Sequence, residues 1–177
     1  MCKLLIQLMD NNYKKFFIFL IFISATSLAF AYYVEHVLGF VPCPLCIYQR
    51  VPYYILIILA MLGLLYPDFN RVLYKIIMLN FLLACILAGY HTAIELGILE
   101  ASKTCKVGVS IPDGLPIEKI KELLYSTPVT GQCDIPSFKI FNIPMSVMNF
   151  CWNLLLLFYC VVNLYYYKCA KTSISSK

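Results

Sequence analysis

The chain has 177 residues, 62% of them hydrophobic and only 13% charged, against roughly 25% charged in an ordinary soluble domain. That balance excludes a water-soluble globular fold. The net charge of +5 would suit nucleic acid, but the basic residues cluster beside apolar segments, which argues against that class as well.

Four stretches are long enough to cross a bilayer core, which takes about 20 apolar residues as helix. They lie near Phe16–Val34, Ile47–Tyr66, Val72–Ala93 and Met145–Tyr167. In hydrocarbon every backbone polar group must be satisfied within its own segment, so these are helices rather than open strands. The first follows Lys3, Lys14 and Lys15. Ala29-Phe30-Ala31 resembles a signal-peptide cleavage site, but the apolar run is longer than the usual ~7–15-residue signal core. An uncleaved anchor is the expectation.

A short connection, Glu35 to Cys46, carries Pro42 and Pro44 and leads into the second span, proline being at home in the first turn of a helix. Pro67-Asp68-Phe69-Asn70 is a turn by composition. Arg71 and Lys75 then open the third span, and a long loop runs from about Glu95 to Ile143. Within it, Pro112-Asp113-Gly114 signals a turn. Residues 115–124 place Ile117, Ile120, Leu123 and Leu124 on one helical face, opposite four charges. That pattern predicts a short amphipathic helix, lying on the membrane surface or packed on the protein's own loops.

The fourth span is followed by Lys168, Lys171 and Lys177. Positive charge is densest at the termini and in the 67–71 connection, which puts these in the cytoplasm and the loops at about 35–46 and 94–144 outside. The fold expected is an all-α membrane protein: a four-transmembrane-helix bundle forming one domain over residues 1–177.

Nine cysteines are present, and position matters more than number. Cys2, Cys85, Cys151, Cys160 and Cys169 fall in spans or cytoplasmic tails, where a cysteine is usually a small hydrophobe. Cys43, Cys46, Cys105 and Cys133 all map to the outer side. Cys43-Pro44-Leu45-Cys46 is a C-x-x-C at a helix mouth. A thiolate there meets first-turn N–H groups and the positive end of the helix dipole, which lowers its pKa.

Arg50 follows Cys46 by four residues, so a continuous helix puts its guanidinium on the same face. It could stabilise a Cys46 thiolate and meet an anionic acceptor, or anchor the helix at the head groups. Cys105 and Cys133 alone would read as a structural staple; beside a second dithiol they can exchange with it. A zinc site built from all four thiolates is disfavoured, because such sites pair two close cysteine couples and 105 and 133 are far apart in sequence. No metal site is expected. His91, near the outer end of the third span, changes charge near neutral pH and could serve a bound carbonyl acceptor. His36 reads as solvated.

Cys43-Pro44-Leu45-Cys46-Ile47-Tyr48-Gln49-Arg50, then His91, then Cys105 and Cys133 before a final span, is an order that resembles the DsbB family, disulfide bond formation protein B. The resemblance runs from the first span to the last; Gln49 stands where an acidic residue is expected in many relatives. It implies a bacterial inner-membrane thiol oxidase that re-oxidises a periplasmic DsbA-like thioredoxin-fold protein. By that resemblance the partner joins Cys105, and Cys133 attacks Cys43. Cys46 then leaves as a thiolate to engage ubiquinone or menaquinone, with Arg50 holding charge and His91 near the ring. A vitamin K epoxide reductase-like protein would carry its helix-mouth C-x-x-C after the loop pair, the reverse of the order here. A non-catalytic protein with stapled loops would leave Arg50 without a redox purpose.

Overall fold

The structure is a computed structural model. It describes residues 2–101, 105, 116–119, 131–136 and 138–175, with side chains described between 14 and 165. Among the described residues the principal α-helices are, in order, α1 (Cys2–His36), α2 (Pro44–Tyr48), α3 (Val51–Leu65), α4 (Asn70–Glu95) and α5 (Met145–Ser175). A 3-10 turn at Pro67–Phe69 joins α3 to α4. Among the described residues, four segments are long and apolar enough to cross a membrane: Lys14–His36, Pro44–Leu65, Pro67–Glu95 and Met145–Tyr165. The molecule is an all-α four-helix membrane bundle, as the hydropathy pattern predicts.

α4 packs on both α5 and α3, and α1 packs on α3. The larger core lies toward the termini and the 67–69 turn. Phe16, Phe17 and Leu20 of α1 interlock there with Leu56, Ala60, Tyr74, Ile77, Phe81 and Leu156. Gly63 allows that approach, because a Cβ there would lie 2.5 Å from the Phe17 ring. Lipid offers no hydrophobic drive between helices, so close packing and interhelical hydrogen bonds carry association. Tyr53 supplies such bonds: its hydroxyl donates to Asn149 Oδ1 at 2.7 Å and accepts from Asn153 Nδ2 at 3.2 Å.

Two features depart from expectation. The second span is not one helix: α2 ends at Tyr48 and α3 begins at Val51. Pro52 explains the break. Its ring would clash with the Tyr48 carbonyl in a continuous helix, and it has no N–H to give. The Arg50 N–H instead bonds the Ile47 carbonyl at 3.1 Å, and the Arg50 carbonyl takes the Tyr53 N–H at 3.1 Å.

The second departure is a small hairpin, β1 (Lys139–Ile140) with β2 (Ile143–Pro144), before α5. Phe141 and Asn142 both have positive φ, the geometry of a tight two-residue hairpin turn. Of the amphipathic segment expected at 115–124, only 116–119 are described. Residues 117–119 are helical, and the Lys119 N–H bonds the Pro116 carbonyl at 3.0 Å. The turn expected at 112–114 lies outside the described residues.

Candidate redox site

At the mouth of α2, Cys43 is the N-cap, in extended conformation, and its sulfur accepts the Cys46 N–H at 3.2 Å. This is ordinary N-capping with sulfur in place of oxygen. It brings the two Sγ atoms to 2.9 Å as free thiols. On the far side, His91 Nε2 of α4 stands 3.5 Å from Cys43 Sγ. The Cys43 thiol is drawn down from 9.0 to about 5, chiefly by its hydrogen bond with Cys46, against burial and with help from His91. Sequence reasoning gave the favoured thiolate to Cys46, whereas the cap geometry puts the first-turn N–H on Cys43.

Cys105 and Cys133 form a disulfide, and the Cys133 N–H donates to the Cys105 carbonyl at 3.3 Å. Both are buried in one apolar cluster with Cys43, Leu45 and Ile94, against which Cys46 packs. The spacing of 28 residues is thus no bar: the loop returns its pair to the helix mouth. Gly131 makes the return possible. Its N–H donates to the Pro42 carbonyl at 3.2 Å, and a Cβ there would sit 2.6 Å from the Val41 oxygen and 3.1 Å from the Cys43 nitrogen.

Arg50 lines the same cavity as Cys46. Its Nη1 meets Glu35 Oε2 at 2.6 Å, and its guanidinium lies over the Tyr32 ring at 4.9 Å. His91 is 1% exposed, more deeply buried than an interfacial histidine. Its Nε2 also faces Glu95 Oε1 at 3.4 Å. The other carboxylate oxygen of Glu95 takes the Ser146 hydroxyl, from the first turn of α5.

A cavity of about 260 Å³ opens beside the dithiol, walled by Cys46, Gln49, Arg50, Glu95 and Tyr53 with Trp152 and other apolar side chains. His91 does not reach this wall; Glu95 does. Gln49 Nε2 is buried and has no hydrogen-bond partner among the described residues.

Sequence reasoning missed Glu95 by ending the third span at Ala93. An acid one turn beyond His91, still within an apolar segment, is the signal that could have found it. It missed Glu35 by reading it as loop. Of the cysteines set aside, Cys85 and Cys160 are buried in the bundle and Cys151 is exposed; the side chains of Cys2 and Cys169 lie outside the described residues.

The profile described as disulfide bond formation protein DsbB matches residues 13–163. The chain is 37% identical to the uncharacterized protein RP370 of Rickettsia prowazekii, over 91% of this chain and 93% of that one. It is 32% identical to the SPbeta prophage-derived disulfide bond formation protein B of Bacillus subtilis, over 58% and 68%. It is also 26% identical to disulfide bond formation protein B of Acinetobacter baumannii, over 87% and 92%. The chain belongs to the DsbB family, multi-pass membrane oxidoreductases of disulfide bond formation.

Proposed function

We propose that this chain re-oxidises a periplasmic DsbA-like thioredoxin-fold partner and passes the electrons to a membrane quinone, ubiquinone or menaquinone. It would lie in the bacterial inner membrane with both termini cytoplasmic and the four cysteines periplasmic. The observation that carries the reading is the gathering of both cysteine pairs into one buried cluster, with Cys46 on the wall of a cavity within the bundle.

A partner thiolate attacks Cys105, and the Cys105–Cys133 bond breaks with Cys133 as leaving thiolate. The partner's second thiol then resolves the mixed disulfide, leaving the partner oxidised and the loop pair reduced. Cys133 attacks Cys43 of an oxidised Cys43–Cys46, and Cys46 leaves toward the cavity. Cys105 then attacks Cys133, which re-forms the loop disulfide and releases Cys43, so the helix-mouth pair ends reduced. Two electrons and two protons have moved at each stage, and nucleophile and leaving group are set by thiolate character.

The residues around the cavity suit a quinone head group. A volume of about 260 Å³ falls a little below the roughly 300–1,000 Å³ of whole drug-sized ligands, which fits a ring whose tail runs out into lipid. The unpartnered Gln49 amide and the Arg50 guanidinium are donors toward a carbonyl oxygen. Bound there, the quinone would supply a two-electron, two-proton acceptor. The chain's part is to hold Cys46 at the wall, exclude water with apolar side chains, and move protons. His91 Nε2, 3.5 Å from Cys43 Sγ, can pass a proton to Glu95 Oε1, 3.4 Å away. Glu95 faces the cavity.

The test is quinone reduction by purified protein mixed with a reduced DsbA-like partner. Wild type should consume quinone and Cys46→Ala should not. No consumption by folded wild type, with both quinone types and several partners, would leave only a stapled membrane protein.

A further inference from the structure

Sequence reasoning sets zinc aside because the two cysteine pairs are far apart. The folded chain offers different third and fourth donors. The sulfurs of Cys43 and Cys46 and a ring nitrogen of His91 all lie within 4.8 Å of one another, and Glu95 Oε1 stands 3.4 Å from His91 Nε2. We propose that in the reduced protein Cys43, Cys46, His91 and Glu95 form a site for a thiophilic divalent cation, zinc or a metal of like softness.

Three of the six donor separations match or approach the edges of a tetrahedral site. Zn–S bonds of about 2.3 Å and Zn–N and Zn–O bonds of about 2.0–2.2 Å give edges of about 3.8 Å for S–S, 3.6 Å for S–N and 3.4 Å for N–O. The S–N and N–O separations here are 3.5 and 3.4 Å. The two sulfurs, at 2.9 Å, must part by less than an ångström. Cys46 and Glu95 both open on the cavity, which gives the ion a way in. Glu95 is further oriented by Ser146, as ligating carboxylates usually are.

Binding displaces whatever proton each sulfur still carries and moves no electrons, and the cation takes two thiolates, a neutral imidazole and a carboxylate. The disulfide form has no thiolate to offer, so the site exists only when the pair is reduced. His91 Nδ1 lacks a hydrogen-bond partner among the described residues, whereas structural metal sites normally fix that second nitrogen. This is the pattern of a reversible site. Its consequence for turnover rests on the proposed function: an ion there would lock the dithiol away from both Cys133 and the acceptor whenever the reduced form accumulates.

Cobalt(II) is the probe for the test, read by thiolate charge-transfer and tetrahedral ligand-field bands, with zinc affinity taken by competition against a chromogenic chelator. No acceptor or partner protein is present. Failure here therefore leaves the proposed relay standing, and failed quinone reduction leaves the site standing. Reduced wild type should bind one equivalent with a tetrahedral spectrum, and the same protein with Cys43–Cys46 oxidised should not. Replacing both Cys105 and Cys133 by alanine should leave binding intact. His91→Ala and Glu95→Gln, with helicity checked by circular dichroism, should each weaken it at least about tenfold. Equal binding by oxidised and reduced wild type would overturn the proposal without recourse to any variant. So would loss of binding in the Cys105/Cys133 double variant, or unchanged affinity in a folded His91→Ala.

Discussion

His91 Nε2 of α4 lies 3.5 Å from Cys43 Sγ at the mouth of α2, joining the third membrane span to the dithiol end of the second. The contact helps hold the Cys43 thiol down at about 5, behind the larger effect of Cys46. A thiol lowered from 9.0 to about 5 is a thiolate across the range between them. That stabilises the reduced pair and makes its disulfide the stronger oxidant, an advantage lost as pH falls through about 5. His91→Ala should therefore move the midpoint of Cys43 alkylation upward by on the order of one unit. Since one unit is worth about 1.4 kcal/mol, the pair should become more reducing by about 30 mV at neutral pH. Alkylation followed by mass spectrometry across pH reads the first, and equilibration with a redox buffer the second. Cys46→Ala should raise the alkylation midpoint further than His91→Ala does; the reverse order would contradict the ranking of causes.

The second relationship to test is the close pass of Gly131 over residues 41–43. A methyl group at 131 would meet the Val41 oxygen at 2.6 Å, and backbone cannot swing aside as a side chain can. Gly131→Ala should force the 131–133 segment away from Cys43, at a cost of about 1–3 kcal/mol typical of overpacking. Transfer between the two cysteine pairs should slow while attack of the partner on Cys105 continues. Acid-quenched single-turnover reactions should then accumulate protein with the loop pair reduced and Cys43–Cys46 still oxidised. Transfer at the wild-type rate would mean that this contact does not set the approach of the pairs.

How far the sequence reaches is clear from these two sites. Helix-forming apolar runs of about 20 residues are set by bilayer thickness, so the four spans are readable from hydropathy without tertiary knowledge. The C-x-x-C is local, and its capping geometry follows from residues three positions apart. The return of Cys133 to Cys43 is not local. It depends on a glycine whose need is visible only once residues 41–43 lie against it. Arg50 lines the same cavity as Cys46, but its ion pair with Glu35, fifteen residues earlier on α1, is a tertiary contact that no local spacing rule could give. Glu95 escaped because its partners, His91 aside, come from another helix.

The Arg50–Glu35 pair carries the third prediction. Its side chains are 13% and 26% exposed, so removing one partner leaves a partly buried charge uncompensated. If Arg50 faces the acceptor from the cavity wall, Arg50→Met should raise the KM for quinone about tenfold or more. A lost charge-assisted hydrogen bond, worth about 1.5–3 kcal/mol, has that effect. Exchange between the partner and Cys105–Cys133 should be unaffected. Arg50→Lys should recover little, because a lysine ammonium cannot reproduce the planar fork. Full recovery by lysine would indicate that only net charge at the wall matters.

Glu95 is the sharpest test of proton movement. It is the residue that touches His91 on one side and faces the cavity on the other. Glu95→Gln keeps the shape and the capacity to hydrogen-bond Ser146, but it cannot take a proton from His91 and pass it on. Positioned acid–base groups typically contribute about 10²–10⁴-fold, so kcat for quinone reduction should fall by about 10²-fold or more with KM little changed. The solvent deuterium isotope effect should rise as proton delivery becomes rate-limiting. Reduction of the loop pair by the partner, measured without quinone, should proceed at the wild-type rate, which separates this effect from a general loss of structure. Glu95→Asp, shorter by one methylene, should be intermediate if distance to His91 is what counts. A Gln variant with normal kcat and an unchanged isotope effect would remove Glu95 from the proton path and leave it as a brace between α4 and α5.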